Sequence, residues 1–179
     1  MADDSPLLAA LAVIQARGAI GERSLPDAIA HADRFVQRLP TAARSLVDLG
    51  SGGGLPALVI AWRRRDLAVT MVERRASRAD LLRRACISLG LGGGVRVVAE
   101  DVTKVCADHP RSFDVVTARS FATIAITLGF IDCLLAEGGS ALVSEPPHDR
   151  SDSWATELGR YPKLADRGAD QGIRVIARQ

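Results

Sequence analysis

The chain has 179 residues, of which 47% are hydrophobic and 25% are charged, and its formal net charge at pH 7 is +2. This length suits one domain with a substantial core, and the composition is that of an ordinary globular protein. The net charge is too small to indicate a nucleic-acid-binding protein by itself. The three cysteines form no CxxC pair, which argues against a disulfide framework or a zinc site.

No targeting or membrane-spanning segment is indicated. The first residues, Met-Ala-Asp-Asp, are acidic where a secretory signal is basic. The longest apolar stretch, 124–136, is interrupted by Asp132 and is too short to cross a bilayer. The histidines are scattered and show no metal-ligand spacing. We therefore expect a cytoplasmic protein that binds neither membrane nor metal.

Two helices are predicted at the start of the chain. Apolar residues at helical spacing run from Leu7 to Ile14, and this segment ends at Gly18. A second set runs from Ile29 to Leu39 and stops at Pro40. These helices form a predicted N-terminal extension over residues 1–40.

From Ser45 onward, short apolar runs alternate with helical stretches. Strands are predicted at 45–49, 68–72, 95–99, 113–117, 140–144 and 173–177, and helices at 56–65, 77–89 and 122–135. Residues 146–170 are predicted as surface loop with one helix near 154–159. The alternation predicts an α/β core over 45–179, with a doubly wound, mostly parallel sheet covered by helices on both faces. The whole chain, 1–179, is predicted to form a single domain.

A glycine-rich stretch, VDLGSGGGLP, follows the first predicted strand at residues 47–56. It is not a P-loop, because Leu55 and Pro56 follow the last glycine where a lysine is needed. It is not a nucleophile elbow, because Leu49 stands where the first glycine should be. A dinucleotide fingerprint requires glycine in place of Leu55, so an oxidoreductase is a distant alternative.

The spacing that does fit is an acid followed by GxGxG, here Asp48, Gly50, Gly52 and Gly54. This pattern is typical of S-adenosylmethionine-dependent methyltransferases. Bare backbone leaves room for the amino-acid tail and ribose of the cofactor, and Asp48 can counter its ammonium group.

Charged residues follow the next predicted strands at the same edge of the sheet. Glu73 comes nineteen residues after Gly54, where an acid can accept the ribose hydroxyls. Either Glu100 or Asp101 lies where the adenine edge would rest, and the sequence does not separate them. Arg119 ends the fourth strand, in place of the Pro-Pro clamp of exocyclic-amine methyltransferases, and is the candidate catalytic residue.

Together these residues resemble the glucose-inhibited division protein B family, bacterial methyltransferases that modify guanine N7 in 16S ribosomal RNA. The resemblance rests on VDLGSGGGLP, on VERR at 72–75 and on DVVTAR at 114–119. It implies a Rossmann-like class I fold, S-adenosylmethionine as cofactor and 16S ribosomal RNA or the small subunit as partner. Carried over to this chain, it implies cofactor contacts from Gly50, Leu55, Glu73, the Ala99–Glu100 pair and Arg119.

Two departures leave other functions open. The family tends to have Lys-Gly after the fifth strand, where this chain has Ser144-Glu145-Pro146, and its Asn-Leu-Thr segment is not found. The alternatives are a methyltransferase for a small molecule or protein, and a catalytically weak cofactor-binding protein that acts through association. Guanine N7 carries an in-plane lone pair, so the absence of a general base near the motifs fits the first reading.

Overall fold

The structure is a computed structural model that describes residues 3–179; Met1 and Ala2 of the predicted extension lie outside this range. Its strands are β1 (Ser45–Leu49), β2 (Ala68–Val72), β3 (Val95–Val98), β4 (Phe113–Ala118), β5 (Leu135–Ser144), β6 (Leu164–Asp170) and β7 (Ile173–Arg178). Its helices are α1 (Ser5–Ala16), α2 (Leu25–Val36), α3 (Ala57–Arg63), α4 (Ala76–Ser88), α5 (Val102–Asp108), α6 (Ile124–Leu134) and α7 (Ser151–Leu158).

The strands form one sheet in the order β3-β2-β1-β4-β5-β7-β6. The first five are parallel, and β7 runs antiparallel to both β5 and β6. Leu49 at the end of β1 pairs with Val72 of β2 and with Ala118 of β4. The carboxyl ends of these strands therefore meet at one edge, where open α/β sheets bind their ligands. This Rossmann-like fold confirms the predicted class.

Apolar side chains cover both faces of the sheet. On one face Leu46 belongs to a cluster with residues of α1 to α4, including Leu7 and Leu82. On the other face Val47 belongs to a cluster with Leu128 of α6 and the fully buried Trp154 of α7. Leu46 and Val47 of β1 serve opposite layers, which explains why successive residues of this strand are apolar.

One arginine of α3 holds both N-terminal helices in place. Arg63, the last residue of α3, pairs with Asp4 before α1 and with Asp33 of α2. The hydrogen bond from Arg63 Nη2 to Asp4 Oδ2 is 2.7 Å, and that from Nε to Asp33 Oδ1 is 3.0 Å. Both hydrogen bonds raise the pKa of the Arg63 guanidinium. The positions of α1 and α2 are thus fixed on α3, directly after the glycine loop.

One predicted feature is wrong, and one helix was not predicted. Residues 164–170, expected as loop, form the edge strand β6, and residues 102–108, left without an element, form α5. Most of β6 is exposed, so it has no apolar alternation to detect. Its pairing comes from a tight turn in which Gln171 and Gly172 both have positive φ, +50° and +75°, as hairpin turns require.

Two absences hold for residues 3–179. No helix there is both long and apolar enough to cross a bilayer. In the same residues, no group of three or more His, Cys, Asp and Glu side chains is placed to hold a metal ion.

Candidate active site

The loop after β1 turns the chain through three glycines in the left-handed region. Gly50, Gly52 and Gly54 have φ of +63°, +54° and +87°, which glycine adopts without steric cost. The backbone N–H of Ser51 donates to the Val72 carbonyl at 2.8 Å, which ties the loop to the end of β2. The turn itself therefore requires bare backbone at these positions.

Two of the four glycines are also required by packing inside the protein. A Cβ at Gly53 would lie 2.7 Å from the carbonyl oxygen of Ala19, in the loop that follows α1. A Cβ at Gly54 would lie 2.4 Å from Leu58 Cδ1 and 2.9 Å from Leu82 Cδ2. The expectation that all the glycines make room for a ligand is therefore too broad.

The other two glycines face the open edge of the sheet. A Cβ at Gly50 would lie 2.8 Å from Cδ2 of the half-buried Phe121. At Gly52 the nearest atom would be the Gly50 carbonyl oxygen, 3.7 Å away. Backbone is thus accessible at Gly52, which is the feature a cofactor tail needs.

Asp48 lies beneath this loop and is buried. Its Oδ1 accepts a 2.6 Å hydrogen bond from Thr117 Oγ1. Burial raises the pKa of Asp48 to about 6, although the Thr117 and Ser51 hydroxyls and the Arg119 charge act in the opposite direction. A cationic ligand at this corner would lower the pKa of Asp48 again by favouring its charged form.

Glu73 connects the glycine loop to the end of β2. Its Oε2 accepts from the Gly52 N–H at 3.0 Å and its Oε1 accepts from the Arg75 N–H at 2.8 Å. Sequence reasoning missed this role, because the bond partners depend on the folded loop. A carboxylate has about four acceptor positions, so the expected ribose contact stays a prediction that is compatible with these bonds.

Glu100 and Asp101, the two acids that follow β3, make different contacts. Asp101 caps α5, because its Oδ1 accepts from the Thr103 N–H at 2.9 Å and from the Thr103 hydroxyl at 2.7 Å. The Glu100 side chain is 42% exposed, and its nearest cation is Lys104 at 3.9 Å. The geometry therefore favours Glu100 over Asp101 for an adenine contact.

A cavity of about 520 Å³ lies in front of these residues, within the size range of small-molecule sites. We call it the cofactor cavity. Its lining includes Gly50, Glu73, Arg78, Glu100, Asp101 and Phe121. The structure thus brings together three residues that the sequence assigned to the cofactor, from the ends of three neighbouring strands.

A second cavity of about 770 Å³ adjoins the first and shares Ser120 and Phe121 with it. We call it the substrate cavity. Its lining includes Arg23, His31, Arg119, Phe121, Glu145 and Arg150. Burial and the Arg23 charge lower the pKa of Arg119, and Asp48 opposes this shift. Arg119 Nη1 is buried without a hydrogen-bond partner among residues 3–179, so it can donate to a bound group.

His31 is a site residue that sequence reasoning missed. It lies on α2, and its Nε2 is 3.3 Å from Ser144 Oγ at the end of β5. Burial, followed by the charges of Arg119 and other arginines, lowers the pKa of His31, so its imidazole is neutral at neutral pH. No local motif marks His31, because only the packing of α2 brings it to the cavity.

Five predicted residues line neither cavity, and one of them is Gly52, which is half-buried in the loop. The Leu55 side chain belongs to the apolar core, and Ala99 is half-buried beside β3. Asp48 and Gly54 are buried below the loop. Their cofactor contacts stay predictions, and for Leu55 such a contact would come from the backbone.

The sheet order, the glycine corner and the acid after β2 define a protein of the class I methyltransferase fold. A solved methyltransferase from Geobacter sulfurreducens superposes with a TM-score of 0.69, covering 99% of this chain and 90% of that chain at 16% identity. At that identity the likeness establishes the fold.

The chain belongs to the GidB family, described as rRNA small subunit methyltransferase G, whose model matches residues 9–153. A ribosomal RNA small subunit methyltransferase G from Rhodopseudomonas palustris is 37% identical over 128 residues, which cover 70% of this chain and 53% of that protein. The protein of the same name from Salinispora arenicola is 42% identical over 116 residues, covering 60% and 48%. The chain thus spans about half the length of these curated relatives.

Proposed function

We propose that this chain is a cytoplasmic enzyme that binds S-adenosylmethionine at the glycine corner and methylates guanine N7 in 16S ribosomal RNA. The observation that carries the proposal is the junction of the two cavities at Ser120 and Phe121. The cofactor cavity is lined by the acids that are expected to hold a nucleoside, and the substrate cavity is lined by arginines. Family membership supports the substrate class.

The residues present fit the cofactor. A Cβ at Gly52 would come no closer than 3.7 Å to another atom, Glu73 and Glu100 line the cofactor cavity, and Asp48 supplies a carboxylate below the loop. When bound, S-adenosylmethionine supplies an electrophilic methyl group. Asp48 would counter the ammonium group of its tail, and Glu73 would accept hydrogen bonds from its ribose.

The reaction needs positioning rather than proton removal. Guanine N7 would accept the methyl group through its in-plane lone pair, so no residue of the chain has to remove a proton first. Holding a nucleophile in line with the methyl group supplies much of the rate gain. Arg119, with its unpaired Nη1, would donate to the base or its phosphate and fix that orientation.

A transfer assay tests the proposal. Tritium-labelled S-adenosylmethionine is supplied with small subunits whose 16S RNA lacks the modification, with fully modified subunits and with 23S RNA. We expect label only in the undermodified 16S RNA, at a site that borohydride and aniline cleave as N7-methylguanine.

Two results would contradict it. Label in protein or small molecules of an extract, but not in RNA, would favour a different methyl acceptor. Cofactor binding without transfer to any acceptor would favour the association role.

A further inference from the structure

The substrate cavity contains a buried ionic cluster that the proposed chemistry does not use. Glu145, directly after β5, has a side chain only 6% exposed. Its Oε1 accepts from Trp154 Nε1 at 2.7 Å and from Arg150 Nη2 at 3.1 Å. Its Oε2 accepts from Arg150 Nε at 3.3 Å, so the arginine is held by both carboxylate oxygens.

Residues of the last two strands, β6 and β7, hold the buried side of this cluster. Arg174 of β7 is 3% exposed, and its Nε lies 3.8 Å from Glu145 Oε1. Its guanidinium also pairs with Asp166 of β6 and lies over the Trp154 ring, 5.4 Å from the centroid. Because these partners are buried, the Glu145 carboxylate has a fixed position, and it fixes Arg150 in turn.

Arg150 is the member of the cluster that reaches the solvent. Its side chain is 28% exposed and lines the substrate cavity. The side-chain hydrogen bonds that Arg150 makes to residues 3–179 use Nε and Nη2, so Nη1 is left for a ligand. The cavity also holds Arg23 and Arg119, while Glu145, already paired, is its carboxylate. An anionic group entering this space therefore meets the guanidinium groups of Arg23 and Arg119 and the Nη1 side of Arg150, whose Nε and Nη2 are held by Glu145.

We infer that Arg150, positioned by Glu145, binds a phosphate of the RNA strand that carries the target base. The inference rests on the proposed function. Guanidinium groups match phosphate oxygens in a planar, bidentate fashion. Phe121, at the junction of the two cavities, gives a base a ring to stack on. Glu145 is a positioning residue, and it sets the orientation of the arginine.

Binding and turnover of Arg150→Ala test the inference. We expect KM for small subunits to rise about tenfold, with kcat changed less than about twofold, because a lost phosphate contact weakens binding without touching the reacting atoms. The slope of log affinity for a fluorescein-labelled single-stranded RNA against log salt should fall by about one. Arg160→Ala is the matched control, because Arg150 lies just before α7 and Arg160 just after it, and Arg160 is 68% exposed and pairs with Glu157.

Two further variants separate positioning from folding. Arg150→Lys keeps the positive charge but loses the planar guanidinium group, so it should recover part of the RNA affinity that Arg150→Ala loses. Glu145→Gln keeps an acceptor for Trp154 and should raise KM as Arg150→Ala does. An unchanged salt slope and KM in Arg150→Ala overturn the inference, and so does equal competition by polyglutamate and RNA of the same charge. RNA binding is measured without methyl transfer, so a wild type that binds but never methylates contradicts the proposed function alone.

Discussion

Thr117 Oγ1 donates a 2.6 Å hydrogen bond to Asp48 Oδ1 across the paired ends of β4 and β1, and both side chains are buried. This bond holds a carboxylate under the glycine loop at a cost in stability. The cost arises because burial raises the pKa of Asp48 from 3.8 to about 6. A residue that disfavours folding at neutral pH is expected at a site that needs its charge.

Replacing Asp48 by Asn should stabilise the protein near neutral pH. Below about pH 4 the carboxyl group is protonated in both folded and unfolded chains, so the variants should be equally stable there. Between about pH 4 and pH 6 the unfolded chain loses its proton while the folded chain keeps it, so the protein with Asp48 becomes less stable over this range, and the loss is complete above about pH 6. Asp48→Asn should therefore gain about 2–3 kcal/mol at about pH 7.5. Urea unfolding at both pH values measures this difference.

The same substitution should weaken cofactor binding. Asn keeps an acceptor for Thr117 but cannot neutralise an ammonium group. Calorimetry with S-adenosylhomocysteine, which retains the amino-acid tail, should show a rise in Kd together with the gain in stability. An Asn variant that is less stable at neutral pH would contradict the burial argument.

Thr117→Val should destabilise the protein through Asp48. Removing the hydroxyl leaves a buried charge with one donor fewer, which costs about 1–3 kcal/mol. In the Asp48→Asn background the loss should be smaller, because the remaining acceptor is neutral. A double-mutant cycle by urea unfolding measures the coupling, and equal losses in both backgrounds would show that the two side chains are not coupled.

Gly52→Asp should abolish cofactor binding and should also lower stability, because the left-handed turn favours glycine. The position has φ +54°, an added Cβ would lie 3.7 Å from its nearest atom, and Asp tolerates the left-handed region better than most residues. The added carboxylate would occupy the cofactor's path. Gly90→Asp is the matched control, because Gly90 has φ +62° with no atom within 4 Å and precedes β3 at the opposite edge. Unaltered affinity in Gly52→Asp, measured by calorimetry, would refute the loop assignment.

Substitutions at Glu73 and Glu100 should separate effects on folding stability from effects on cofactor binding. Glu73→Ala removes two acceptors of backbone N–H groups and should lower both stability, by about 1–3 kcal/mol for each lost bond, and affinity for S-adenosylhomocysteine. Glu100→Gln disturbs no hydrogen bond to the backbone and should lower affinity alone. Thermal unfolding without ligand and calorimetry with ligand distinguish the two effects. A Glu73→Ala variant as stable as wild type would show that the loop does not depend on this carboxylate.

Local pattern predicted the strands that build the sheet edge, and contact between distant segments decided the rest. β1 and β2 have the predicted bounds, because their apolar runs are buried on both faces and end at charged or glycine positions. β6 was missed because an exposed edge strand is held by its hairpin partner rather than by burial. α5 carried a usable signal in its Asp101 cap and in apolar residues at helical spacing, Val102, Val105 and Cys106.

In the candidate site too, local sequence pattern predicted some features, and contacts between distant segments decided the others. The glycine spacing and the acid after β2 indicated a nucleoside site, but the packing of Gly53 against Ala19 could not be inferred from the loop itself. In the sequence alone, Glu145 is a departure from the family, which tends to have Lys-Gly after the fifth strand. In the fold it orients Arg150 and accepts from Trp154, partners that become meaningful only once α7 is placed beside β5.

A crystal structure with S-adenosylhomocysteine tests the central claim most directly. The account predicts adenosine in the cofactor cavity, with its ribose on Glu73, its tail over Gly52 and its sulfur facing Arg119. A ligand bound elsewhere, or a glycine corner without ligand at saturating S-adenosylhomocysteine, would contradict it.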